Sequence, residues 1–358
     1  MKSLIYDLSR EDWSKWAVRR GFSEARVSKI WESLYKKEAK DFEDIEISKK
    51  VIDELKEDFY FYSLEAKEVQ ISSDGTTKFL FKLEDGNLIE SVLMKHEFGD
   101  SLCITSQVGC NMSCAFCASG QLKKVRNLKA SEMVLQVLAA NEYLKTDNKM
   151  AENNRKVLET DKMSWNDKIS ADGKISHIVI MGTGEPFDNY DNVISFIRMA
   201  IDVNGMGIAP RKLTVSTCGV VPKILDFAAE DVNVKLAISF HSPRNEIRNI
   251  LMPINKKYSV EELVEAIKKY VDITKRRVSI EYILIDGITD TMEDAEKLVS
   301  FFKPLGRNFM INLIPYNPVE GSDFKRSTKE NRNAFFEYLV NAGIYSLRRK
   351  ERGKDVDA

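Results

Sequence analysis

Residues 102–117 read LCITSQVGCNMSCAFC, a short apolar run followed at once by three closely spaced cysteines. Comparable apolar runs recur along the chain, and each is separated from the next by a segment with helical periodicity. The runs cover residues 102–108, 177–184, 212–219, 234–241, 277–285 and 309–317. Because parallel strands need crossover connections, this alternation predicts an α/β fold with a parallel sheet of βα units. Six units favour a partial (βα)6 barrel of the TIM type over a closed eightfold one.

The first 62 residues have a different pattern, in which apolar residues recur at spacings near three and four. This periodicity predicts a small helical accessory domain over residues 1–62, and Ser23 is a candidate N-cap within it. The positions that carry the pattern are Trp13, Trp16, Ala17, Ile30, Trp31, Leu34 and Tyr35.

Residues 63–100 contain two alternating runs, TTKFLFKL and NLIESVLM, on either side of the turn residues 84–86. This arrangement predicts a β-hairpin that links the helical domain to the barrel. The barrel domain is then residues 101–358. The polar stretch 145–175 interrupts its rhythm, and we expect that stretch to be an excursion from the barrel surface.

Composition excludes several classes of protein. The chain has 358 residues, 43% hydrophobic and 30% charged, close to a soluble average and unlike a disordered protein. It has no run of ~18 apolar residues and no secretory signal, so we expect a cytoplasmic protein with no membrane association. The net charge of −1 provides no global attraction for nucleic acid, so RNA binding requires local basic clusters. The clusters are Arg19-Arg20, Lys36-Lys37, Lys123-Lys124-x-Arg126, Lys256-Lys257, and Arg348-Arg349-Lys350-x-Arg352-x-Lys354.

The three cysteines after the first barrel run, Cys110, Cys114 and Cys117, have the spacing C-x3-C-x2-C. Three thiolates at this spacing can hold one face of a cubane-sized metal cluster from a short loop. A structural zinc site needs a further ligand pair, and the sequence offers none. Three ligands leave one iron of a [4Fe–4S] cluster open, which suits catalysis better than electron storage. The alternative is three buried cysteines in a core turn, and the polar residues between them count against it.

The cysteine triplet after the first barrel strand resembles the radical S-adenosylmethionine (SAM) superfamily. A second stretch, MGTGEP at residues 181–186, closes the second predicted strand and resembles the GGEP-type motif of that superfamily. The resemblance implies that the open iron chelates SAM, which one electron then cleaves to a 5′-deoxyadenosyl radical. Backbone groups around Gly184, where glycine permits close approach, would hold the amino group of SAM.

Within that superfamily the chain resembles the RlmN/Cfr family of adenosine-C2 and -C8 RNA methyltransferases over nearly its whole length. Matching stretches are SLCITSQVGCNMSCAFC, MGTGEPFDNYDNV, RKLTVSTCGVVPKI, LAISFHSPRNEIRNILMPINKKY, INLIPYNP and RRKERGKDVDA. The segment GFSEARVSKIWESLYKK resembles the accessory domain of the family. The resemblance implies methylation of carbon 2 of adenosine in 23S ribosomal RNA and transfer RNA, with a [4Fe–4S] cluster and SAM as cofactors.

The resemblance also implies a ping-pong scheme and two catalytic residues outside the triplet. One SAM methylates a cysteine near the C-terminus, and a second SAM generates a radical on that methyl group, which adds to adenine. Cys103 matches the cysteine that then forms a disulfide with the first and releases the product. Glu90 matches the proposed general base that accepts the adenine proton. Without the resemblance, Cys103 is equally well a buried thiol, and Glu90 is better explained as a solvated hairpin carboxylate.

Further SAM contacts implied by the resemblance fall at the ends of predicted strands, where barrel active sites collect. They are Gly184, Glu185, Ser216, Ser239, the Phe240 backbone, His241 and Asn317. Taken alone, His241 is better explained as a core histidine. We expect Cys218 to pack beneath the site as a small apolar residue without a catalytic role.

This sequence departs from the family pattern at one point. In the family, a motif ending DIDAA precedes the methyl-carrying cysteine, whereas this sequence reads DVDA at 355–358 and stops. We expect truncation, and the alternative is a natural variant that binds SAM and RNA without completing methylation. We therefore expect the 358-residue chain to cleave SAM without methylating RNA in repeated turnover.

Other functions stay open at this point. They are Cfr-like methylation of carbon 8, a radical SAM enzyme with another substrate such as a glycyl radical activator, and an iron–sulfur RNA-binding paralogue without catalysis. Cys103 and the accessory domain count against the activator. The partners expected from the resemblance are 23S ribosomal RNA, transfer RNA and a flavodoxin-type electron donor, and we expect a monomer.

Overall fold

The computed structural model describes residues 2–158 and 173–356, except for the side chains of residues 148–158. A ten-stranded sheet forms its centre, and two pairs of short strands lie outside that sheet. The strands are β1 (Ser3–Leu4), β2 (Phe59–Tyr60), β3 (Glu65–Ile71), β4 (Thr77–Lys82), β5 (Leu88–Met94), β6 (Ser101–Ile104), β7 (Gln107–Val108), β8 (Arg126–Asn127), β9 (His177–Ile180), β10 (Leu213–Thr217), β11 (Lys235–Ser239), β12 (Val278–Leu284), β13 (Phe309–Pro315) and β14 (Ser346–Arg348). The helices are α1 (Arg10–Arg19), α2 (Glu24–Tyr35), α3 (Lys49–Asp58), α4 (Ala130–Leu158), α5 (Tyr190–Ile201), α6 (Val221–Ala229), α7 (Asn245–Leu251), α8 (Val260–Thr274), α9 (Met292–Phe302) and α10 (Lys329–Asn341).

The parallel part of the sheet is the barrel. Strands β6, β9, β10, β11, β12 and β13 are parallel neighbours in that order, with helices in the connections between them. This arrangement confirms the partial barrel of six βα units. β14 adds a further parallel strand beside β13. The sequence pattern does not predict β14, because a strand of three residues is too short to show alternation.

The predicted hairpin is confirmed and is part of the same sheet. β4 and β5 pair antiparallel around the turn at 84–86, and β5 pairs in turn with β6. β3 pairs with β4 and forms the far edge of the sheet. β3 is exposed along nearly all of its length, so it has no buried face, and the sequence does not reveal it as a strand.

The three N-terminal helices bury their aromatic residues in a core that continues into the barrel. Ser9 caps α1 through reciprocal hydrogen bonds with Asp12, which form a capping box. Ser23 is the N-cap of α2, as predicted, although its side chain makes no capping hydrogen bond. The seven apolar positions that carry the helical pattern are all buried. The domain limits proposed from the sequence stay predictions.

The polar stretch 145–175 begins inside α4, which extends to Leu158. The Ile175 N–H donates a hydrogen bond to Asn141 Oδ1 at 2.7 Å, which ties the returning chain to that helix. Residues 159–172 lie outside the described residues, so the expected excursion stays a prediction. Across the ranges that the structure describes, no helix has the apolar length needed to cross a membrane.

Alternation along the barrel strands separates an apolar outer face from a more polar inner one. On β10, Leu213 and Val215 are buried toward the helices, whereas Ser216 faces the barrel interior. Ser239 on β11 and Glu281 on β12 also face inward. The barrel therefore gathers polar side chains at its centre, near the carboxyl ends of its strands.

Candidate active site

A cavity of about 220 Å³ opens at the carboxyl ends of the barrel strands. Functional side chains collect at this end in (βα) barrels. Its lining combines thiols, hydroxyls, an imidazole, carboxylates and a guanidinium. These groups and the neighbouring glycine come from Cys110, Cys114, Cys117, Gly184, Glu185, Ser216, Ser239, His241, Glu281 and Arg349. The cavity thus brings together eight residues named from the sequence as cluster or SAM ligands.

The cysteine loop, residues 109–120, presents three free thiols to this cavity. Backbone hydrogen bonds fix its course on both sides of Cys114. The Cys110 N–H donates to the Leu122 carbonyl at 2.9 Å, and the Ala115 N–H donates to the Leu251 carbonyl at 2.9 Å. The loop is therefore anchored both to its own return segment and to the end of α7.

The donor set fits an iron–sulfur cluster. Burial raises the pKa of the Cys114 thiol, and the nearby Cys117 and Cys110 raise it further. Three thiolates here therefore need a cationic partner. Within the described part of the chain, no His, Cys, Asp and Glu group is arranged to hold a single metal ion. A [4Fe–4S] cluster instead takes one thiolate on each of three irons, which suits three separate thiols lining one cavity.

The MGTGEP stretch lies against the chain that follows β6. A Cβ on Gly182 would lie 2.8 Å from the Ile104 carbonyl oxygen, and a Cβ on Gly184 would lie 2.6 Å from Gln107 Cβ. Gly184 also has a φ of +109°, which L side chains rarely adopt. These two glycines are therefore required by packing within the protein, a reason separate from the close approach of a ligand.

Glu185 joins two strand ends. Its buried carboxylate accepts hydrogen bonds from the Phe187 N–H at 2.9 Å and the Cys218 N–H at 2.7 Å. Its own N–H donates to Gln107 Oε1 at 2.9 Å. Burial raises the pKa of the Glu185 carboxyl group, and its hydrogen bonds oppose that rise. Because its oxygens are bound within the protein, Glu185 holds together the loops that follow β9 and β10 at the cavity wall.

Ser216 and Ser239 line the cavity together with Glu281. The buried Glu281 carboxylate accepts hydrogen bonds from Ser279 Oγ at 2.5 Å and Asn312 Nδ2 at 2.7 Å. Glu281 is not identified as a site residue from the sequence. The signal for it is a carboxylate within the otherwise apolar run IEYILI.

His241 combines an unusual backbone conformation with a fixed tautomer. Its φ is +58°, and its Nδ1 accepts a hydrogen bond from the Ile283 N–H at 3.1 Å. Burial, together with the charge of Arg248, lowers the pKa of His241 from 6.5 to about 3. The ring is therefore neutral at physiological pH, with its proton on Nε2. It also makes an edge-to-face contact with Phe116 of the cysteine loop, with 4.8 Å between the ring centroids.

We expect His241 to make stability depend on pH. Below pH 6.5 the unfolded chain binds a proton at this residue and the folded chain does not, so stability falls as the pH falls toward 3. Between pH 7 and pH 5, wild-type apoprotein should lose about 2 kcal/mol more stability than His241→Asn, in urea unfolding. Asparagine tolerates positive φ and carries no titrating group. Equal losses of stability in the two proteins would show that the titration of His241 does not cause this pH dependence.

Cys103 and Glu90 do not line the cavity but lie near each other on neighbouring strands. Cys103 pairs with Val92 of β5, and Glu90 is two residues from Val92, so all three side chains share one face. Burial raises the pKa of the Cys103 thiol, and the positive charge of Arg349 opposes this rise. The Glu90 side chain is 51% exposed, and its Oε1 lies 3.9 Å from Lys78 Nζ.

Phe240 and Asn317 are not brought into the cavity. The Phe240 side chain is buried against Phe302, with 5.2 Å between the ring centroids. Its N–H donates to the Glu281 carbonyl at 3.1 Å, and its carbonyl accepts from Arg248 Nε at 2.9 Å. Asn317 is exposed beyond the end of β13. A SAM contact from either residue stays a prediction.

Cys218 packs as the sequence analysis expects. It is buried in a small apolar cluster beneath the cysteine loop. Its neighbours there include Leu251, Met252, Ile283 and Tyr316. The residue also forms part of the cavity wall, so it supports the site from below.

Several of the basic clusters are neutralised within the protein. Lys124 pairs with Asp188 at 2.7 Å, and Arg20 pairs with Asp58 at 2.6 Å. Arg349 lies at the cavity, although the sequence places it within a basic cluster considered for RNA binding. The lysines that stay exposed near the cysteine loop and after α7 are Lys123, Lys256 and Lys257.

Known proteins with similar sequences include radical SAM enzymes, as the cysteine loop and the cavity suggest. The Radical SAM superfamily profile matches residues 104–302. A "Probable dual-specificity RNA methyltransferase RlmN" from Listeria monocytogenes is 45% identical over 359 aligned positions, covering 100% of this chain and 92% of the relative. A protein of the same description from Streptococcus mutans is 42% identical, covering 100% of this chain and 94% of the relative.

A solved structure agrees as well. The crystal structure of a radical SAM methyltransferase from Sphaerobacter thermophilus superposes with a TM-score of 0.84 at 34% identity. The match covers 99% of this chain and 96% of that one. The likeness therefore extends over the N-terminal helices and the hairpin as well as the barrel.

Proposed function

Because this chain belongs to the RlmN family of radical SAM RNA methyltransferases, we propose that it methylates carbon 2 of adenosine in 23S ribosomal RNA and in transfer RNA. The methyltransferase class and the two cofactors, a [4Fe–4S] cluster and SAM, follow from membership of the family. The target atom, the two RNAs and the residue roles below are the proposal. Carbon 2 of adenine is electron-poor and its hydrogen is not acidic, so this carbon cannot act as the nucleophile that ordinary methyl transfer from SAM requires. Radical chemistry at this carbon is therefore consistent with the proposal.

The observation that carries the proposal is the placement of Cys103 relative to the cysteine loop. Its strand, β6, leads directly into the loop of Cys110, and its side chain shares a face with Glu90. A cluster needs only the three loop cysteines, so it does not account for a thiol at this position. A methyltransferase that forms a covalent link to RNA needs such a thiol to break that link.

Cys110, Cys114 and Cys117 hold the cluster in this proposal, and Gly184, Glu185, Ser216, Ser239, Phe240, His241 and Asn317 are the proposed SAM-binding residues. When bound, the two cofactors supply one-electron chemistry that removes a hydrogen atom from an unactivated carbon. Of these residues, His241 offers a neutral Nε2–H donor at the cavity, and Ser216 and Ser239 offer hydroxyls. Glu185 keeps the surrounding loops in place.

Cys103 is proposed as the resolving cysteine. Its sulfur forms an S–S bond to the methyl-carrying cysteine of the family pattern while the C–S bond to the RNA breaks. The electron pair of the broken bond, with a proton, completes the new methyl group. Arg349 supports this role, because its positive charge favours the thiolate form of a thiol whose pKa burial raises.

Glu90 is proposed as the base that accepts the adenine proton. Its side chain is half exposed and is restrained by a long contact to Lys78 rather than a short hydrogen bond. It can therefore turn toward an adduct formed at the neighbouring Cys103. The exposed lysines Lys123, Lys256 and Lys257 are proposed phosphate contacts for the RNA backbone. We also propose a cytoplasmic monomer that takes electrons from a flavodoxin-type donor.

The proposal is tested by the identity of the methylated nucleoside. Protein expressed from the gene is reconstituted anaerobically and incubated with SAM, a reductant and either a 23S ribosomal RNA fragment or transfer RNA. We expect 2-methyladenosine from both RNAs, identified by mass spectrometry of the nucleosides. 8-Methyladenosine would overturn the target atom. SAM cleavage without any methyladenosine would overturn RNA methylation by this protein.

The same assay examines the role of Cys103. In Cys103→Ala, we expect methylated RNA to fall at least tenfold, and the RNA to stay covalently attached to protein on denaturing gels. Cys218→Ala is the matched control, because it removes the other cysteine outside the triplet. Normal release from Cys103→Ala would remove this residue from the proposal.

A further inference from the structure

Arg248 on α7 is among the largest fully buried side chains of the described protein, with an exposure of 0%. Its guanidinium donates four hydrogen bonds, all to neutral oxygens. Nε donates to the Phe240 carbonyl at 2.9 Å, and Nη1 donates to Asn255 Oδ1 at 3.0 Å. Nη2 donates to the Cys218 carbonyl at 2.7 Å and to the Ser239 carbonyl at 3.3 Å. The polar atoms are thus satisfied, but the positive charge is not balanced by these contacts.

In the described ranges of the chain, Arg248 forms no ion pair with a carboxylate. Arg244, one turn earlier, shows the usual solution: its Nε lies 2.8 Å from the buried Asp294 Oδ1. Burial lowers the pKa of Arg248 to about 10, which still leaves it protonated at neutral pH. An unpaired charge in a protein interior is strongly unfavourable. The buried Glu185 carboxylate binds the Cys218 N–H and forms no ion pair with Arg248, so this position calls for a further negative group nearby.

The surroundings of Arg248 identify where that negative group belongs. α7 ends at Leu251, whose carbonyl anchors the cysteine loop through the Ala115 N–H at 2.9 Å. A Cβ on Gly219 would lie 3.3 Å from Arg248 Nη2, so glycine at this point leaves room for the guanidinium. Cys218, whose carbonyl accepts a hydrogen bond from Arg248, belongs to the small buried cluster against which Cys114 packs. The guanidinium therefore lies directly behind the loop that holds the iron–sulfur cluster.

We propose that Arg248 is the buried counter-charge of the iron–sulfur cluster and raises its reduction potential. Three thiolates outweigh the positive charge of the oxidised [4Fe–4S] core, so the site is anionic and gains one more negative charge when it accepts one electron from a reductant. A fixed positive charge in a low-dielectric setting stabilises the reduced form more than the oxidised form. Arg248 is not among the residues that line the cavity, so it is a positioning residue that acts through the cluster.

This inference rests on the presence of the cluster and is independent of which adenine carbon is methylated. It assigns a function to a residue that the sequence analysis leaves unassigned within the stretch PRNEIRNILMPINKKY. It also explains why a charged residue occupies a position with neutral acceptors on every side. An apolar side chain there would leave the loop carbonyls without donors and the cluster without a counter-charge.

The test measures the midpoint potential of the reconstituted cluster by redox titration followed with electron paramagnetic resonance. In Arg248→Gln and Arg248→Met, we expect the equilibrium for one-electron reduction to shift at least tenfold toward the oxidised form, a potential lower by about 59 mV or more. Lys269→Gln is the matched control, since it removes one positive charge from an exposed position on the next helix, α8. Its potential should equal that of the wild type.

Iron content and circular dichroism establish that each variant is folded and contains its cluster. If a neutral variant with a full complement of iron has the wild-type potential, the proposal is wrong. If neither neutral variant folds, Arg248→Lys decides, because lysine keeps the charge and loses most of the hydrogen bonds. If the equilibrium constant for one-electron reduction of Arg248→Lys stays within threefold of the wild-type value, the result supports the counter-charge. A tenfold shift toward the oxidised form contradicts it.

Discussion

Cys114→Ala should contain almost no iron after anaerobic reconstitution, whereas the wild type should contain about four irons per chain. Cys114 is the central thiol of the triplet, and its loop is fixed by hydrogen bonds at Cys110 and Ala115. Iron content and the visible absorbance of the cluster measure this result, and 5′-deoxyadenosine formation should fall at least 100-fold.

The loss of iron in Cys114→Ala must be distinguished from a failure of that variant to fold. Removing one thiol from the cavity wall leaves the apolar core intact, so apo Cys114→Ala should unfold within a few degrees of the wild-type apoprotein. Cys218→Ala is the control, because it also removes a thiol from the cavity wall but should keep its iron. A brown Cys114→Ala protein with a full complement of iron would show that the triplet does not hold the cluster.

The parts of this fold that the sequence predicts are those with a strong local pattern. Six apolar runs become six parallel strands, and the hairpin forms around the turn at 84–86, because each element buries a face of its own. β3 and β14 are not predicted, the first because it is exposed and the second because it is short. Their pairing depends on neighbours that are distant along the chain.

The candidate site also has some residues that the sequence predicts and others that it does not. The cysteine triplet is predictable, since its spacing alone brings three thiols into one loop. The role of Glu185 in joining the ends of two strands is not, because its partner Cys218 lies 33 residues away. Arg248 gives no signal either, since an arginine in a helical stretch is ordinarily exposed. Only tertiary contacts show that its charge is buried behind the cysteine loop.

Gly109 is where the cysteine loop depends most on the absence of a side chain. Its φ is +74°, and a Cβ would lie 2.1 Å from the Lys123 carbonyl oxygen. The backbone cannot move away, because the residues on either side are bound to the return segment. The Val125 N–H donates to the Val108 carbonyl at 2.7 Å, and the Cys110 N–H donates to the Leu122 carbonyl at 2.9 Å.

We therefore expect Gly109→Ala to lower the free energy of unfolding by about 3 kcal/mol or more and to remove most of the iron, since the loop must shift. Gly86→Ala is the matched control, because Gly86 has a φ of +86° but open space around its Cβ position. Backbone strain alone should cost that variant about 1 kcal/mol and leave its iron content unchanged. Thermal unfolding and iron analysis compare the two. If Gly109→Ala matches Gly86→Ala in both, the close approach of Lys123 is not what shapes the cysteine loop.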